Sequence, residues 1–182
     1  MEMGEDCHRR PTRVPGSATE AENWMIDIVP ATDPPALVDA RTLIRAHISA
    51  HSTAHDPAST AALVAALPAP YEPPRGGLWV AYQDSAAAGC VALHALGPTV
   101  GEIKRMYVDP AHRGRGVARA LLERVIEEAR RRNYDTLRLG TLSTMHAAQT
   151  LYTSAGFREI EPYRAVEFGD TLFYELQLGA PS

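Results

Sequence analysis

Apolar positions recur along this chain at two spacings, and the two alternate. Period-two or unbroken apolar runs predict strands at residues 24–29 (WMIDIV), 78–83 (LWVAYQ), 87–96 (AAGCVALHAL), 100–108 (VGEIKRMYV), 135–142 (DTLRLGTL), 157–163 (FREIEPY) and 171–178 (TLFYELQL). A helical period covers residues 32–51, where Leu37, Ala40, Ile44 and Ile48 share one face, Asp33 is placed to cap and Pro34 takes the first helical position. A second short helix over 57–67 ends before Pro68, and the proline and glycine content of 69–77 (APYEPPRGG) predicts a loop. The strongest helix follows Gly116: Val117, Leu121, Val125 and Ala129 recur every four residues, with Leu122 and Ile126 beside them. Arg130, Arg131 and Arg132 set cations against its negative end, and Asn133 suits a left-handed cap. A last helix over 143–155 is stopped by Gly156. Asp84-Ser85 suits a hairpin turn, and Gly169-Asp170 joins the final two strands. The order β-α-α-β-β-β-α-β-α-β-β predicts an α/β (α+β mixed sheet) fold with helices on both faces and no internal repeat.

Composition narrows this picture. Residues 1–23 are polar, hold two prolines and have no period, so they read as a flexible extension ahead of one domain over 24–182. At 182 residues, 45% hydrophobic and 22% charged, the chain is large enough to bury a core without staples. A net charge of −4 argues against a nucleic-acid partner. No apolar run approaches the ~18 residues of a membrane span and no leader core appears, so no membrane partner and a cytoplasmic address are expected. The two cysteines, Cys7 in the extension and Cys90 in an apolar run, make no disulfide framework. Cys90 reads as a small core residue rather than a nucleophile.

Chemistry enters at residues 107–125, YVDPAHRGRGVARALLERV. The first turn of a helix has N–H groups without internal partners and roughly half a positive charge from its dipole. Glycines at 114 and 116 let a diphosphate approach those amides without meeting a Cβ, and Arg113, Arg115 and Arg119 add positive field. By itself such a loop also reads as a simple turn. No Lys-Ser/Thr follows the glycines, which disfavours an ATP-type P-loop, and Arg119 breaks the dinucleotide Gly-x-Gly-x-x-Gly spacing.

Arg113-Gly114-Arg115-Gly116-Val117-Ala118 resembles the Arg/Gln-x-x-Gly-x-Gly/Ala signature of the GNAT N-acetyltransferase family. The likeness continues through GEIKRMYVDPAHRGRGVARALLE and AAQTLYTSAGF, covering 101–157 as motif and about 24–178 as element order. PYEPPRGG, TLSTMHAAQTLYTSAGF and TLFYELQL are similar to a broad bacterial subgroup without an assigned substrate. The resemblance implies acetyl-CoA as cosubstrate, no metal, and direct acetyl transfer to a primary amine, of a small molecule in the leading reading. It implies cofactor contacts from Met106, Tyr107 and Val108, largely through the main chain, and from residues 113–118. An N–H near Met106 would steady the developing oxyanion.

Two side chains match the family's catalytic positions. Only a neutral amine attacks a thioester, and Glu102 stands where many members carry a general-base glutamate. On residues alone it reads as an exposed strand-end carboxylate. Tyr152 stands where the family keeps a tyrosine near the CoA sulfur, the place for a general acid, and its plainer role is packing. Where many members have Asn seven residues earlier, this chain has Met145, which makes that contact apolar or absent. Two alternatives share the cradle: a CoA-binding sensor without turnover, and an acetyltransferase acting on protein lysines or N-termini. Members of the family often form dimers, so a homodimer is possible.

Three weaker signals remain. His47, His51 and His55 recur at four-residue spacing, yet Asp56-Pro57 interrupts any helix there, so a solvated face or the rim of the acceptor pocket is favoured over a metal site. Family architecture sets Tyr163, Arg164 and Glu167 near that pocket. Glu127 and Glu128 lie four residues before Arg131 and Arg132, which predicts a surface ion-pair lattice.

Overall fold

The computed structural model describes residues 25–51, 56–166 and 170–179. The expected extension over 1–23, Cys7, Trp24, the side chain of His51, His55, Glu167 and Gly169 lie outside the described residues. The elements are β1 Ile26–Pro30, α1 Pro34–His51, α2 Pro57–Ala66, β2 Gly77–Gln83, β3 Ala86–Ala95, β4 Val100–Val108, α3 Val117–Arg131, β5 Thr136–Leu142, α4 His146–Ser154, β6 Arg158–Ile160 and β7 Thr171–Gln177. This is the order read from the hydrophobic pattern.

One mixed sheet runs β1-β2-β3-β4-β5-β7-β6, antiparallel throughout except where β4 meets β5. Alternation sends its side chains into two cores. Leu78, Val80, Cys90, Ala92 and Tyr107 pack with Ala40, Ile44 and Ile48 of α1 and Val64 of α2. Trp79, Val91, Leu93, Ile103, Leu137 and Leu139 pack on the other face with Val117, Leu121 and Val125 of α3 and Tyr152 of α4. The β2–β3 turn places Asp84 at φ 50° and Ser85 at φ 68°, the handedness that matches strand twist. Asn133 caps α3 at φ 58°, as its amide side chain allows.

The expectations need adjustment at four places. The 69–77 loop contains a 3-10 turn, Ala69–Tyr71, that buries Tyr71 to 4% exposure. α4 begins three residues later than the pattern suggested, at His146, and β6 shrinks to three residues. The surface lattice is instead a buried hub: Glu128 is 3% exposed and takes Arg124, Arg131 at 2.5 Å and Arg132, while Glu127 is exposed outside it. Position 128 turns inward with the apolar stripe of α3, so four-residue spacing alone misjudged its burial. Among the described residues no helix is long and apolar enough to cross a membrane.

Two irregularities of β4 position the site. Its pairing with β5 is confined to Val100, Glu102 and the residue between, against Thr136 to Arg138; beyond this the strands part, and among the described residues the edge of residues 103–108 has no partner strand. On the opposite edge Cys90 pairs with Tyr107 but Ala92 pairs with Lys104, so Arg105 and Met106 together face Val91. Such a bulge bends its strand, and Arg105 is the residue with reversed backbone, φ 55°.

Candidate active site

The glycine loop stands where β4 leaves the fork. Asp109 accepts from Ala111 N–H at 2.9 Å and starts a 3-10 turn over Pro110–His112. Gly114 follows at φ 74° and Gly116, the N-cap of α3, at φ 84°, both in the left-handed region that other residues avoid. A Cβ on Gly114 would meet nothing within 4 Å and one on Gly116 only Ile26 at 3.9 Å, so the space over both is open. Among the described residues the N–H groups of Gly114, Gly116, Val117, Ala118 and Arg119 reach no acceptor. A concave, cation-flanked row of unpaired amides at a helix N-terminus fits a diphosphate.

The loop is braced from below. Gln83 is 1% exposed, with its Oε1 2.7 Å from His112 Nδ1 and 3.5 Å from Arg115 Nη1. Arg113 Nε donates to the carbonyl of Val108 at 3.2 Å, tying the loop to the strand end. Sequence reasoning missed Gln83; a polar residue closing an otherwise apolar strand was the available sign. Arg113 and Arg115 are exposed beside the amides, whereas Val117 is 1% exposed and contributes only its main chain. Met106 and Val108 turn toward the α3 core and Tyr107, 7% exposed, toward the α1 core, which leaves their main chain at the open edge. Tyr107 stacks on His47 with centroids 5.6 Å apart, so that histidine serves a ring contact. Among the described residues no cluster of three His, Cys, Asp or Glu stands ready for a metal ion.

Glu102 lies where the fork opens. It is 2% exposed and not the exposed carboxylate that a strand end suggests. Oε1 accepts from the Tyr163 hydroxyl at 2.7 Å and Arg164 Nε at 3.2 Å; Oε2 is 3.3 Å from Lys104 Nζ and 4.0 Å from His94 Nδ1. Burial and the neighbouring carboxylate push the Tyr163 phenol up, so it stays a donor. Two cations, Lys104 and Arg164, flank the Glu102 carboxylate, and His94, its partner across the β3–β4 ladder, has a side chain 40% exposed. His94 and Lys104 were also missed: the hairpin register brings His94 to Glu102, which local pattern does not carry, and Lys104 lies two positions along the same strand on the same face.

Tyr152 sits apart from this cluster and shares no hydrogen bond with Glu102. It is 6% exposed, its ring 5.8 Å from Phe157 and 6.4 Å from Tyr174. Burial raises its phenol to about 12, and its hydroxyl has no hydrogen-bond partner among the described residues. Met145 is the residue ahead of α4, its sulfur 3.6 Å from Thr141 Oγ1. Cys90 is fully buried, its thiol pushed up to about 12 by burial, and it donates to the Arg105 carbonyl at 3.3 Å. It is a packing residue that also steadies the bulge.

The profile described as the Acetyltransferase (GNAT) family matches residues 43–157. The chain is 40% identical over 88 residues to YsnE, an uncharacterized N-acetyltransferase of Bacillus subtilis, a match covering 47% of this chain and 58% of that protein. It is 37% identical over 115 residues to N-acetylaspartate synthetase of Rattus norvegicus, covering 58% of this chain and 38% of the relative. The matches thus span about half the length of these curated relatives. Among solved structures it is similar to yncA of Salmonella typhimurium with its cofactor acetyl-CoA, at TM-score 0.65 and 26% identity over 85% of this chain and 94% of that one.

Proposed function

The chain belongs to the acetyltransferase (GNAT) family, and from that premise we propose that it moves an acetyl group from acetyl-CoA directly to a primary amine of a small molecule. The observation that carries this reading is the row of unpaired amides at Gly114 and from Gly116 to Arg119, set at the mouth of a strand fork. The fork leaves one edge of β4 open over six residues, about 20 Å of strand, long enough for an extended amide-bearing arm to lie along it. The bound cofactor in a structural neighbour supports acetyl-CoA, and the name of the N-acetylaspartate relative supports a small amine acceptor.

Acetyl-CoA, when bound, supplies the thioester carbonyl that the amine attacks, so that a C–N bond forms, the C–S bond breaks and CoA leaves as a thiol. The amides of residues 114 and 116–118 hold the diphosphate, with Arg113 and Arg115 beside it. Main-chain groups of Met106, Tyr107 and Val108 align the arm. Glu102 takes the proton shed by the amine at Oε2, and the partly exposed His94 ring 4.0 Å away gives that proton a route to solvent. Tyr152 gives its hydroxyl proton to the departing sulfur.

Thiol release from acetyl-CoA across a panel of small amines and lysine peptides tests the reading, alongside calorimetric titration of acetyl-CoA. Binding with turnover on a small amine is expected. Binding with no turnover on any amine overturns it in favour of a sensor, and turnover on peptides alone overturns the small-molecule acceptor.

A further inference from the structure

Arg105 has three properties that packing does not require. Its φ of 55° lies where a non-glycine residue stores strain of roughly 1–2 kcal/mol. It shares the β4 bulge with Met106, which swings it onto the α1 face beside Glu102 and Lys104. Its half-buried guanidinium donates only through Nε, to the Tyr71 hydroxyl at 3.1 Å, and among the described residues neither terminal nitrogen meets an acceptor and no carboxylate pairs with it.

The anchor is itself fixed. Tyr71 is 4% exposed and sets its ring edge-on to His94, with centroids 6.3 Å apart at 87°. His94 Nδ1 stands 4.0 Å from Glu102 Oε2. An unbroken row therefore crosses this face from a cationic fork, through two rings, to a carboxylate.

We infer that this row is a receptor for an amine that also carries a carboxylate: Glu102 faces the amine end and the two terminal nitrogens of Arg105 take the carboxylate as a bidentate pair. The inference rests on the acetyl-transfer reading in that it sets the amine at Glu102. A planar guanidinium held by Nε presents its other two nitrogens in the geometry of a carboxylate, which a lysine does not match. An acceptor lacking the carboxylate leaves the fork unpaired, and a diamine brings like charge against it. Lys104, 3.3 Å from Glu102, adds field of the same sign. The acceptor class is thus an amino acid or a short amino-carboxylate.

Matched acceptors test this: β-alanine against propylamine, and aspartate against putrescine, in thiol release with wild type, Arg105→Asn and Arg105→Lys. Asparagine tolerates positive φ, so the first variant spares the backbone. Wild type is expected to favour the carboxylate-bearing amine by about 100-fold in kcat/KM, and Arg105→Asn to erase at least about tenfold of that through acceptor KM. Arg105→Lys restores part of the preference, and acetyl-CoA affinity by calorimetry stays within about twofold in both. Tyr71→Phe, which removes only the anchoring hydroxyl, raises acceptor KM several-fold. Equal use of the matched pairs by wild type, or an unchanged preference in Arg105→Asn, overturns the inference. If no amine releases thiol, the acetyl-transfer reading has failed, and titration of aspartate and β-alanine into the CoA complex then decides. Binding lost in Arg105→Asn upholds the receptor, and no binding to wild type overturns it.

Discussion

The hydroxyl of Tyr163 donates to Oε1 of Glu102 across 2.7 Å, joining residues 61 positions apart. The bond leaves Oε2 turned toward His94 and Lys104, the side on which an amine would approach. Removing the carboxylate and removing its holder should therefore differ in degree. Glu102→Gln is expected to lower kcat for acetyl transfer by about 100-fold, and Tyr163→Phe by about tenfold, with acetyl-CoA affinity retained in both. Thiol-release kinetics read this, and a Glu102→Gln enzyme as fast as wild type would remove the base from the reading.

Burial holds the Tyr152 phenol at about 12, so it keeps its proton at pH 10, where an ordinary tyrosine is half ionised. The wild-type rate should show no alkaline decline centred near pH 10. Tyr152→Phe should lower kcat by about 100-fold across that range while binding acetyl-CoA normally. A rate profile that breaks downward near pH 10 contradicts the buried donor.

A carboxylate placed in the amide cradle opposes a diphosphate by charge and by bulk. Gly116→Glu is expected to weaken acetyl-CoA binding by more than about 100-fold in calorimetry. Gly114→Ala meets no neighbour within 4 Å yet must hold φ 74°, so it should lower stability by roughly 1–2 kcal/mol in urea unfolding. Undiminished binding by Gly116→Glu would refute the cradle.

Glu128 supplies the pH dependence of stability. Burial alone raises its pKa, but hydrogen bonds from Arg132 and Arg131 outweigh that and hold it below the usual carboxylate range. A carboxylate depressed in the folded state stabilises the fold above its unfolded pKa and loses that contribution as pH falls through the folded value. Glu128→Gln should thus cost about 3 kcal/mol at pH 7, where wild type keeps the full contribution, and much less at pH 3. Urea midpoints at both pH values measure the difference; an equal penalty at the two would exclude the ion-pair hub.

Local patterns made the elements legible because burial imposes the period that each element repeats. The stripe of Val117, Leu121 and Val125 and the alternation in β2 read directly onto the two cores. Glycines 114 and 116 were legible for a similar reason, since a positive φ has a residue preference that sequence displays. Arg105 was not, because the bulge reverses the backbone at a residue with no such preference. The surroundings of Glu102 were legible only in part: the family resemblance set Tyr163 and Arg164 near the acceptor pocket without joining them to Glu102, and His94 arrives by register. The segment 69–77 reads as a loop from its prolines and glycines, a pattern that does not show Tyr71 turning inward as the partner of Arg105.

Because so few residue pairs join β4 to β5, the sheet is mechanically two panels stitched at one end, held elsewhere by the packing beneath them. Whatever lies in the gap supplies the missing stitches and becomes, for as long as it stays, part of the sheet. Occupancy and rigidity are then one property, and the empty protein should loosen first along that line.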